Sequence, residues 1–168
     1  MRLFFALWPP RDAAEALHAW ASEVHRSSGG RVTRPETIHL TLAFLGEIEE
    51  KRLPLLQQVT LSGKRHSLPV DAARYWKHNQ IVWVGPREMP REMRRLVVSL
   101  SGFLEKNEFR QEKREFAAHI TLIRKARVPN LIPELPKVAW PVDEVVLVRS
   151  RLSAKGSNYE VVQRYPLD

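Results

Sequence analysis

Apolar residues recur along this chain at spacings that predict several short strands and helices. The run 2–7 is short and apolar, which predicts a first strand. Asp12 follows Pro9 and Pro10 and is placed to cap a helix. The apolar positions of that helix recur at helical spacing: Ala13, Ala16, Leu17, Trp20 and Val24. The sequence 27–30, Ser-Ser-Gly-Gly, predicts its end.

The rest of the chain mixes strand and helix patterns without a regular alternation. Two runs stand out as strands, at 37–45 and at 116–124, because β-branched and apolar residues dominate them. The other predicted segments are a helix at 47–61, a hairpin of strands at 68–76 and 80–84, a helix at 89–105, a proline-rich loop at 128–141, and a final hairpin of strands at 142–151 and 159–165. This mixed order predicts an α+β fold with antiparallel sheets.

The two outstanding strands carry the same four-residue motif, His-x-Thr-x with apolar x. The first copy is His39-Leu40-Thr41-Leu42 and the second is His119-Ile120-Thr121-Leu122. Residues two apart in a strand point to one face, so each histidine should share a face with its threonine. A single strand histidine is more often structural than catalytic, but a repeated motif with the same spacing favours a functional pair.

The repeat also predicts how the chain is organised. A strand and a helix precede each motif strand only loosely, and identity outside the motifs is slight. We therefore expect an internal duplication that gives two pseudo-symmetric lobes, with outer helices and a central cleft between antiparallel sheets. We expect residues 1–168 to form one such two-lobed domain.

Two histidines that meet across a cleft are suited to displacement at phosphorus. Near neutral pH one imidazole can accept a proton from the attacking oxygen while the other donates a proton to the leaving oxygen. Each threonine hydroxyl can donate to a phosphate oxygen on which charge gathers. Two histidines without a carboxylate partner are a poor set of metal ligands, so we expect neither a metal nor a cofactor.

Composition narrows the function further. The chain has 168 residues, no cysteine and a formal net charge of +8, which favours polyanionic partners such as nucleic acid. The absence of cysteine excludes disulfides, thiolate zinc sites and a thiol nucleophile. No glycine-rich phosphate-binding loop is present, no run is long enough to span a bilayer, and the first residues lack a signal-peptide pattern. A cytoplasmic protein is the expectation.

These motifs and their flanks resemble the two-histidine (2H) phosphoesterase superfamily. The wider stretches resemble its branch of RNA 2′,3′-cyclic phosphodiesterases, the LigT-like proteins once called 2′-5′ RNA ligases. The stretches that carry the resemblance are 2–7, 37–46, 116–124 and 149–152, with Gly156 and Tyr159. The resemblance covers nearly the whole chain and implies a two-lobed α+β fold whose motif strands line a central cleft.

The resemblance also implies roles for individual residues. His39 would donate a proton to the departing 3′ oxygen, and His119 would activate water. Thr41 and Thr121 would hold the phosphate oxygens, and Arg124 would help to bind the phosphate. The implied reaction is hydrolysis of a 2′,3′-cyclic phosphate to a 2′-phosphomonoester, and members of the family also join or cleave 2′-5′ linkages.

Three positions depart from the family pattern or from strand geometry. Ala118 stands where the family often has proline, a difference that the backbone should tolerate. Arg124 has the wrong strand parity to share a face with His119 and Thr121 unless the strand bends or ends there. Phe44 has the same parity problem, and we expect it to pack in the core rather than against a base.

Other functions stay open at this point. A non-catalytic RNA-binding module would have the same basic charge, and a related enzyme could act on a 2′-5′ oligonucleotide or another small phosphoester. The expected partners are RNA ends or 2′,3′-cyclic nucleotides, with no membrane, no obligate protein partner and a monomeric state. The remaining histidines are expected on the solvated surface: His18, His25, His66 and His78.

Overall fold

The computed structural model describes residues 1–168 as an α+β fold with antiparallel sheets, as the sequence predicts. It contains ten strands and three α-helices. In chain order these are β1 (Arg2–Leu7), α1 (Arg11–Ser28), β2 (Arg31–Val32), β3 (Leu40–Glu47), α2 (Leu53–Gln57), β4 (His66–Ser67), β5 (Ala72–Trp76), β6 (Ile81–Gly85), α3 (Arg91–Lys106), β7 (Ile120–Arg124), β8 (Pro141–Val142), β9 (Glu144–Ser153) and β10 (Gly156–Pro166). No helix is both long enough and apolar enough to span a membrane.

Two four-stranded sheets each hold one motif strand. The first sheet has the order β10-β9-β1-β3, and the second has the order β2-β7-β6-β5. Strands β4 and β8 form a separate two-stranded sheet. The first sheet joins strands from the two ends of the chain, while β2 crosses from the N-terminal part to flank β7 in the second sheet. The two lobes are therefore interleaved in sequence.

Strand β1 is buried on both faces, which explains its unbroken apolar sequence. Leu3, Phe5 and Leu7 face the main core, a cluster of 34 buried residues that spans both sheets. Phe4 and Ala6 face the other way and join a second cluster of four buried residues, against which Trp8 packs. The Phe4 ring of this cluster lies 5.1 Å from the His39 ring, centroid to centroid, so the cluster packs against the first motif.

The helices cover the sheets through amphipathic faces. Leu17, Trp20 and Val24 of α1 are buried, and α1 contacts β2 and β7. Met93, Leu96 and Leu100 of α3 are buried too, and α3 contacts β3. Four of the five apolar positions that predict α1 are buried, and Ala16 is half-buried.

The predicted helix at 47–61 is wrong in extent. A 3₁₀ turn at Glu50–Arg52 precedes α2, which covers only Leu53–Gln57 with Pro54 in its first turn. Proline is well suited to a first turn because it has no N–H to leave unpaired there. The apolar residues Leu56 and Val59 are buried even though no continuous helix joins them.

The predicted cap at Asp12 is also displaced. Helix α1 begins at Arg11 behind Pro10, so Asp12 lies within the first turn, where its carboxylate accepts a hydrogen bond from the Ala13 N–H at 2.9 Å. An acidic residue at this end still interacts favourably with the helix dipole.

Candidate active site

The two motifs line one cleft between the two main sheets. Its volume is about 440 Å³, and all five predicted site residues contribute to its wall: His39, Thr41, His119, Thr121 and Arg124. The structure therefore brings together side chains that come from distant parts of the chain.

Each motif histidine lies one residue before its strand, because β3 begins at Leu40 and β7 at Ile120. The predicted strands at 37–45 and 116–124 thus begin too early, and the chain before His39 forms a 3₁₀ turn, Pro35–Thr37. Because each histidine precedes its strand, its ring can approach the backbone carbonyl two residues earlier in the chain.

Both rings are oriented by the same hydrogen bond. His39 Nδ1 lies 2.6 Å from the Thr37 carbonyl oxygen, and His119 Nδ1 lies 2.8 Å from the Ala117 carbonyl oxygen. A carbonyl can only accept, so Nδ1 carries the hydrogen in each ring and Nε2 is left for other partners. His39 Nε2 lies 3.1 Å from Thr41 Oγ1, which can donate its hydroxyl hydrogen to a neutral ring.

Aromatic side chains flank both histidines. The His39 ring stacks on Trp8 with centroids 4.9 Å apart and meets the edge of Tyr159 at 5.4 Å. The His119 ring lies 4.8 Å from Trp76 and 6.1 Å from Trp83. These contacts limit the rotation of the rings and reduce the exposure of His39 to water.

This environment changes the proton affinity of His39. Its pKa is lowered from 6.5 to about 4, chiefly by burial. The hydrogen bond to the Thr37 carbonyl opposes this shift in pKa, while the positive charge of Arg124, and that of the His119 ring whenever it is protonated, add to it. His39 is therefore neutral near pH 7 when the cleft holds no anion. A bound anion would offset the repulsion from the neighbouring cations and favour the protonated ring.

Arg124 reaches the cleft because β7 contains a bulge. In the pairing of β6 with β7, Val82 is opposite Ile123 and Trp83 is opposite Thr121, which leaves Leu122 without a partner. One extra residue reverses the alternation of faces beyond it. Arg124 is thereby placed on the face of Thr121, which resolves the parity conflict seen in the sequence.

The first motif strand contains the same feature. In the pairing of β1 with β3, Phe5 is opposite Ala43 and Ala6 is opposite Thr41, so Leu42 has no partner. Phe44 consequently shares the face of Thr41. The expectation that Phe44 packs in the core is wrong, since 38% of its surface is exposed.

A second cavity, of about 450 Å³, adjoins the cleft at Thr41 and His119. Its wall includes three aromatic residues, Phe44, Trp76 and Phe116, together with residues of α3 and of the segment 111–117. The Arg2 guanidinium lies 5.4 Å from the Phe44 ring at the same strand pair. Thr41 and His119 thus line both cavities, which are of similar size.

Sequence reasoning missed Trp8, Trp76 and Trp83 as neighbours of the histidines. For Trp8 the available signal was the continuous apolar run of β1, which requires a second buried face and something to pack against it. No local pattern marked Trp76 and Trp83, which lie on β5 and β6 of the other sheet. Among the other histidines, His25 and His78 are exposed as expected, whereas His18 and His66 are half-buried. The Nε2 atom of His66 is buried without a hydrogen-bond partner.

The structure contains no group of three or more His, Cys, Asp or Glu side chains placed to hold a metal ion. It contains five ion pairs, and none of them involves a residue of the cleft. The positive side chains of the cleft are therefore available to an anionic ligand.

Comparison with known proteins gives consistent matches over the whole chain. The RNA 2′,3′-cyclic phosphodiesterase of Escherichia coli strain K12 is 33% identical over 172 residues, covering 99% of this chain and 96% of that protein. The protein of the same name from Thermus thermophilus is 32% identical over 180 residues, covering 99% of this chain and 90% of that protein.

Solved structures match equally well. A crystal structure of E. coli LigT complexed with 3′-AMP gives a TM-score of 0.90 at 29% identity and covers 99% of this chain and 97% of that one. The model of the LigT-like phosphoesterase family matches residues 7–83 and 84–159, one copy for each motif. With two motif copies on two sheets and family matches over both halves, this chain belongs to the LigT-like phosphoesterase family.

Proposed function

We propose that this protein hydrolyses RNA or nucleotide 2′,3′-cyclic phosphodiesters to 2′-phosphomonoesters, with two histidines as acid and base and without a metal. The observation that carries the proposal is the shared cleft of His39 and His119, whose Nδ1 atoms are both engaged by backbone carbonyls. The relatives named RNA 2′,3′-cyclic phosphodiesterase support the same substrate class.

The reaction divides between the two imidazoles. Neutral His119 accepts a proton from water at Nε2 as the water oxygen forms a bond to phosphorus. Protonated His39 donates its Nε2 proton to the 3′ oxygen as the bond from phosphorus to that oxygen breaks. The product is a 2′-phosphomonoester with a free 3′-hydroxyl, and exchange of protons with solvent restores both rings.

The low pKa of His39 makes its protonation dependent on the substrate. Burial and the charge of Arg124 keep the ring neutral in the free cleft. The cyclic phosphate carries one negative charge, which interacts favourably with both the imidazolium and the guanidinium. His39 then takes up its proton as the substrate binds, and it holds that proton for the leaving oxygen.

The remaining site residues stabilise charge on phosphorus oxygens. Thr41 and Thr121 present hydroxyl donors beside the two histidines, and Arg124 presents a guanidinium on the face of Thr121. Charge-assisted hydrogen bonds of this kind are stronger than neutral ones and gain in importance as negative charge develops in the transition state.

The experiment is a turnover assay on an RNA with a 2′,3′-cyclic end, in buffer treated with a chelator. The proposal predicts full activity and a product that carries only a 2′-phosphate. A 3′-phosphate product, or activity that returns only when a divalent metal is added, would contradict it. An RNA-binding module without catalysis would give binding but no product.

We also propose that the enzyme can form 2′-5′ linkages, because a second cavity adjoins His119. A cavity of this size can hold a nucleoside. The 5′-hydroxyl of that nucleoside would replace water as the nucleophile, giving its proton to His119 and forming a phosphodiester to the 2′ oxygen while the 3′ oxygen departs. The aromatic wall of the cavity supports stacking of a base. The cytoplasmic location and the monomeric state stay predictions.

A further inference from the structure

The wall of the catalytic cleft carries more positive charge than one phosphate requires. Four cationic side chains contribute to it, Arg31, Arg34, Arg124 and Lys155, and no aspartate or glutamate does. A 2′,3′-cyclic phosphate carries one negative charge, which Arg124 is placed to meet. The cleft therefore has an excess of cations for a ligand with a single phosphate.

Two of these cations are directly opposite each other. Arg31 of β2 pairs with Arg124 of β7 in the register of the second sheet. Like charges at opposite positions of neighbouring strands destabilise a sheet. Two arginines of the hairpin formed by β9 and β10 do lie near a carboxylate, since Arg151 is 3.9 Å from Glu160 and Arg164 is 2.6 Å from Glu144. No carboxylate forms an ion pair with Arg31.

The hairpin of β9 and β10 extends this basic wall. The guanidinium of Arg34 donates to the Ser157 carbonyl oxygen at 2.9 Å, which ties the tip of the hairpin to the segment after β2. Lys155 lies at the same tip, two residues before Ser157, and is exposed. Arg31 and Lys155 therefore both line the cleft, Arg31 from β2 of the second sheet and Lys155 from the tip of the hairpin in the first.

We propose that Arg31 and Lys155 form a second phosphate-binding subsite, which takes the phosphate on the 5′ side of the nucleotide that carries the cyclic phosphate. An RNA strand that ends in a 2′,3′-cyclic phosphate has no nucleotide beyond that end. Its nearest other phosphate is therefore the one attached to the 5′ oxygen of the terminal ribose. The inference rests on the proposed function, and it selects RNA ends over cyclic nucleotides that lack a 5′-phosphate.

The test compares two substrates that differ by one phosphate, adenosine 2′,3′-cyclic phosphate with and without a 5′-phosphate. For the wild-type protein, kcat/KM should be about tenfold or more higher with the 5′-phosphate, the ratio expected for a charge-assisted hydrogen bond. Arg31→Gln should lower this ratio severalfold. Arg91→Gln, which removes an exposed charge on α3 outside both cavities, should keep the wild-type ratio.

Salt dependence gives a second readout. Added salt screens contacts between opposite charges near the protein surface, so a further phosphate contact makes binding more sensitive to ionic strength. For the wild-type protein, KM should rise more steeply with salt concentration for the substrate with the 5′-phosphate than for the one without it. In Arg31→Gln the two substrates should differ less in this salt dependence. Lys155→Gln, at an exposed hairpin tip, gives an independent variant if Arg31→Gln does not fold.

The outcomes separate the two proposals. Absence of turnover with both substrates would contradict the proposed function itself. Turnover with no preference for the 5′-phosphate, or a wild-type preference retained in both variants, would overturn the second subsite while the proposed function stands. An equal loss with both substrates in Arg31→Gln would also overturn it, because it would assign Arg31 to the reacting phosphate.

Discussion

Thr121 and Arg124 lie on the same face of β7 although they are three residues apart. The bulge at Leu122 makes this possible by adding one residue to β7 without a partner on β6. Thr41 and Phe44 have the same relationship in β3, where the bulge is at Leu42. The two halves of the site thus share a backbone feature and place different side chains at its end, a cation in one half and an aromatic ring in the other.

Replacing Arg124 by glutamine should weaken phosphate binding and transition-state stabilisation. We expect kcat/KM for a 2′,3′-cyclic nucleotide to fall about 10- to 100-fold, the cost of a hydrogen bond to a charged group. Lys125→Gln is the matched control, since it removes the next positive charge along the chain, which does not line the cleft. Equal losses in the two variants, measured by steady-state kinetics, would show a general effect of charge rather than a contact from Arg124.

Adding a methyl group at Gly30 should disturb the same arginine through the backbone. Gly30 has a φ of +88°, and a Cβ there would lie 2.4 Å from the Arg124 carbonyl oxygen. We expect Gly30→Ala to destabilise the fold by about 1–3 kcal/mol, as strained backbone positions do. The activity per folded molecule should also fall, because the backbone at Arg124 is displaced.

Gly102→Ala is the control for that substitution. Gly102 lies in α3, and a Cβ there would meet nothing within 4 Å. In a helix interior this change should stabilise the fold by about 0.5–1 kcal/mol. Urea unfolding of both variants measures the difference, and a Gly30→Ala protein as stable and active as the wild type would contradict the close contact.

The side of β7 on which Arg124 lies could not be predicted from the sequence. Period-two alternation predicts the apolar backing of each motif correctly, because Leu40, Leu42, Ile120 and Leu122 are all buried. A bulge leaves no clear trace in a single sequence, since it depends on the register with a neighbouring strand. The faces on which Arg124 and Phe44 lie are therefore known only from the structure. That the two motifs line one cleft could be predicted from the sequence.

Contacts between distant parts of the chain also determine two other features that the sequence does not predict, the length of α2 and the order of strands in the first sheet. The apolar spacing at 47–61 predicts a long helix, yet α2 begins with Pro54 in its first turn and ends at Gln57, and Val59 is buried beyond that end. The ends of the chain meet in one sheet because β1 lies between β3 and β9, a topology that no local pattern contains. The existence of most elements could be predicted, while their bounds and neighbours could not.

The pH dependence of stability should reveal the environment of His39. Its pKa is about 4 in the folded protein against 6.5 as the ordinary value, so below about pH 6.5 the unfolded chain binds a proton that the folded one does not. This difference destabilises the fold as the pH decreases towards about 4 and has no effect well above 6.5. From about pH 7.5 to about pH 5 it amounts to about 2 kcal/mol.

Removing the imidazole should remove that contribution. We expect His39→Gln to lose less stability than the wild type on acidification, by up to about 2 kcal/mol in urea unfolding. Inorganic phosphate, which favours the protonated ring, should reduce the loss in the wild-type protein as well. Parallel curves for His39→Gln and the wild type would contradict the lowered pKa.

Phe44→Ala should separate ligation from hydrolysis. Phe44 is in the wall of the second cavity and not of the cleft that His39 lines. If a base stacks there, loss of the ring should lower the transfer to a 5′-hydroxyl about tenfold relative to the transfer to water. Val98→Ala, an exposed apolar change on α3, serves as the control. An unchanged ratio of ligated to hydrolysed product would contradict the nucleoside subsite.

The central claim is that His39 and His119 act on one phosphorus atom as a unit. Groups that act together in one step lose most of their effect when either is removed, so the effects of single and double substitutions are far from additive. His18→Ala is a suitable control, because His18 lies in α1 outside the cleft. Circular dichroism of each variant checks that the fold is retained.

The most direct test measures kcat on a 2′,3′-cyclic nucleotide, in chelator-treated buffer, for His39→Ala, His119→Ala and the double variant. We predict a loss of at least about 100-fold in each single variant, with little further loss in the double variant. Turnover close to the wild-type rate in either single variant, with the fold intact, would contradict the two-histidine mechanism.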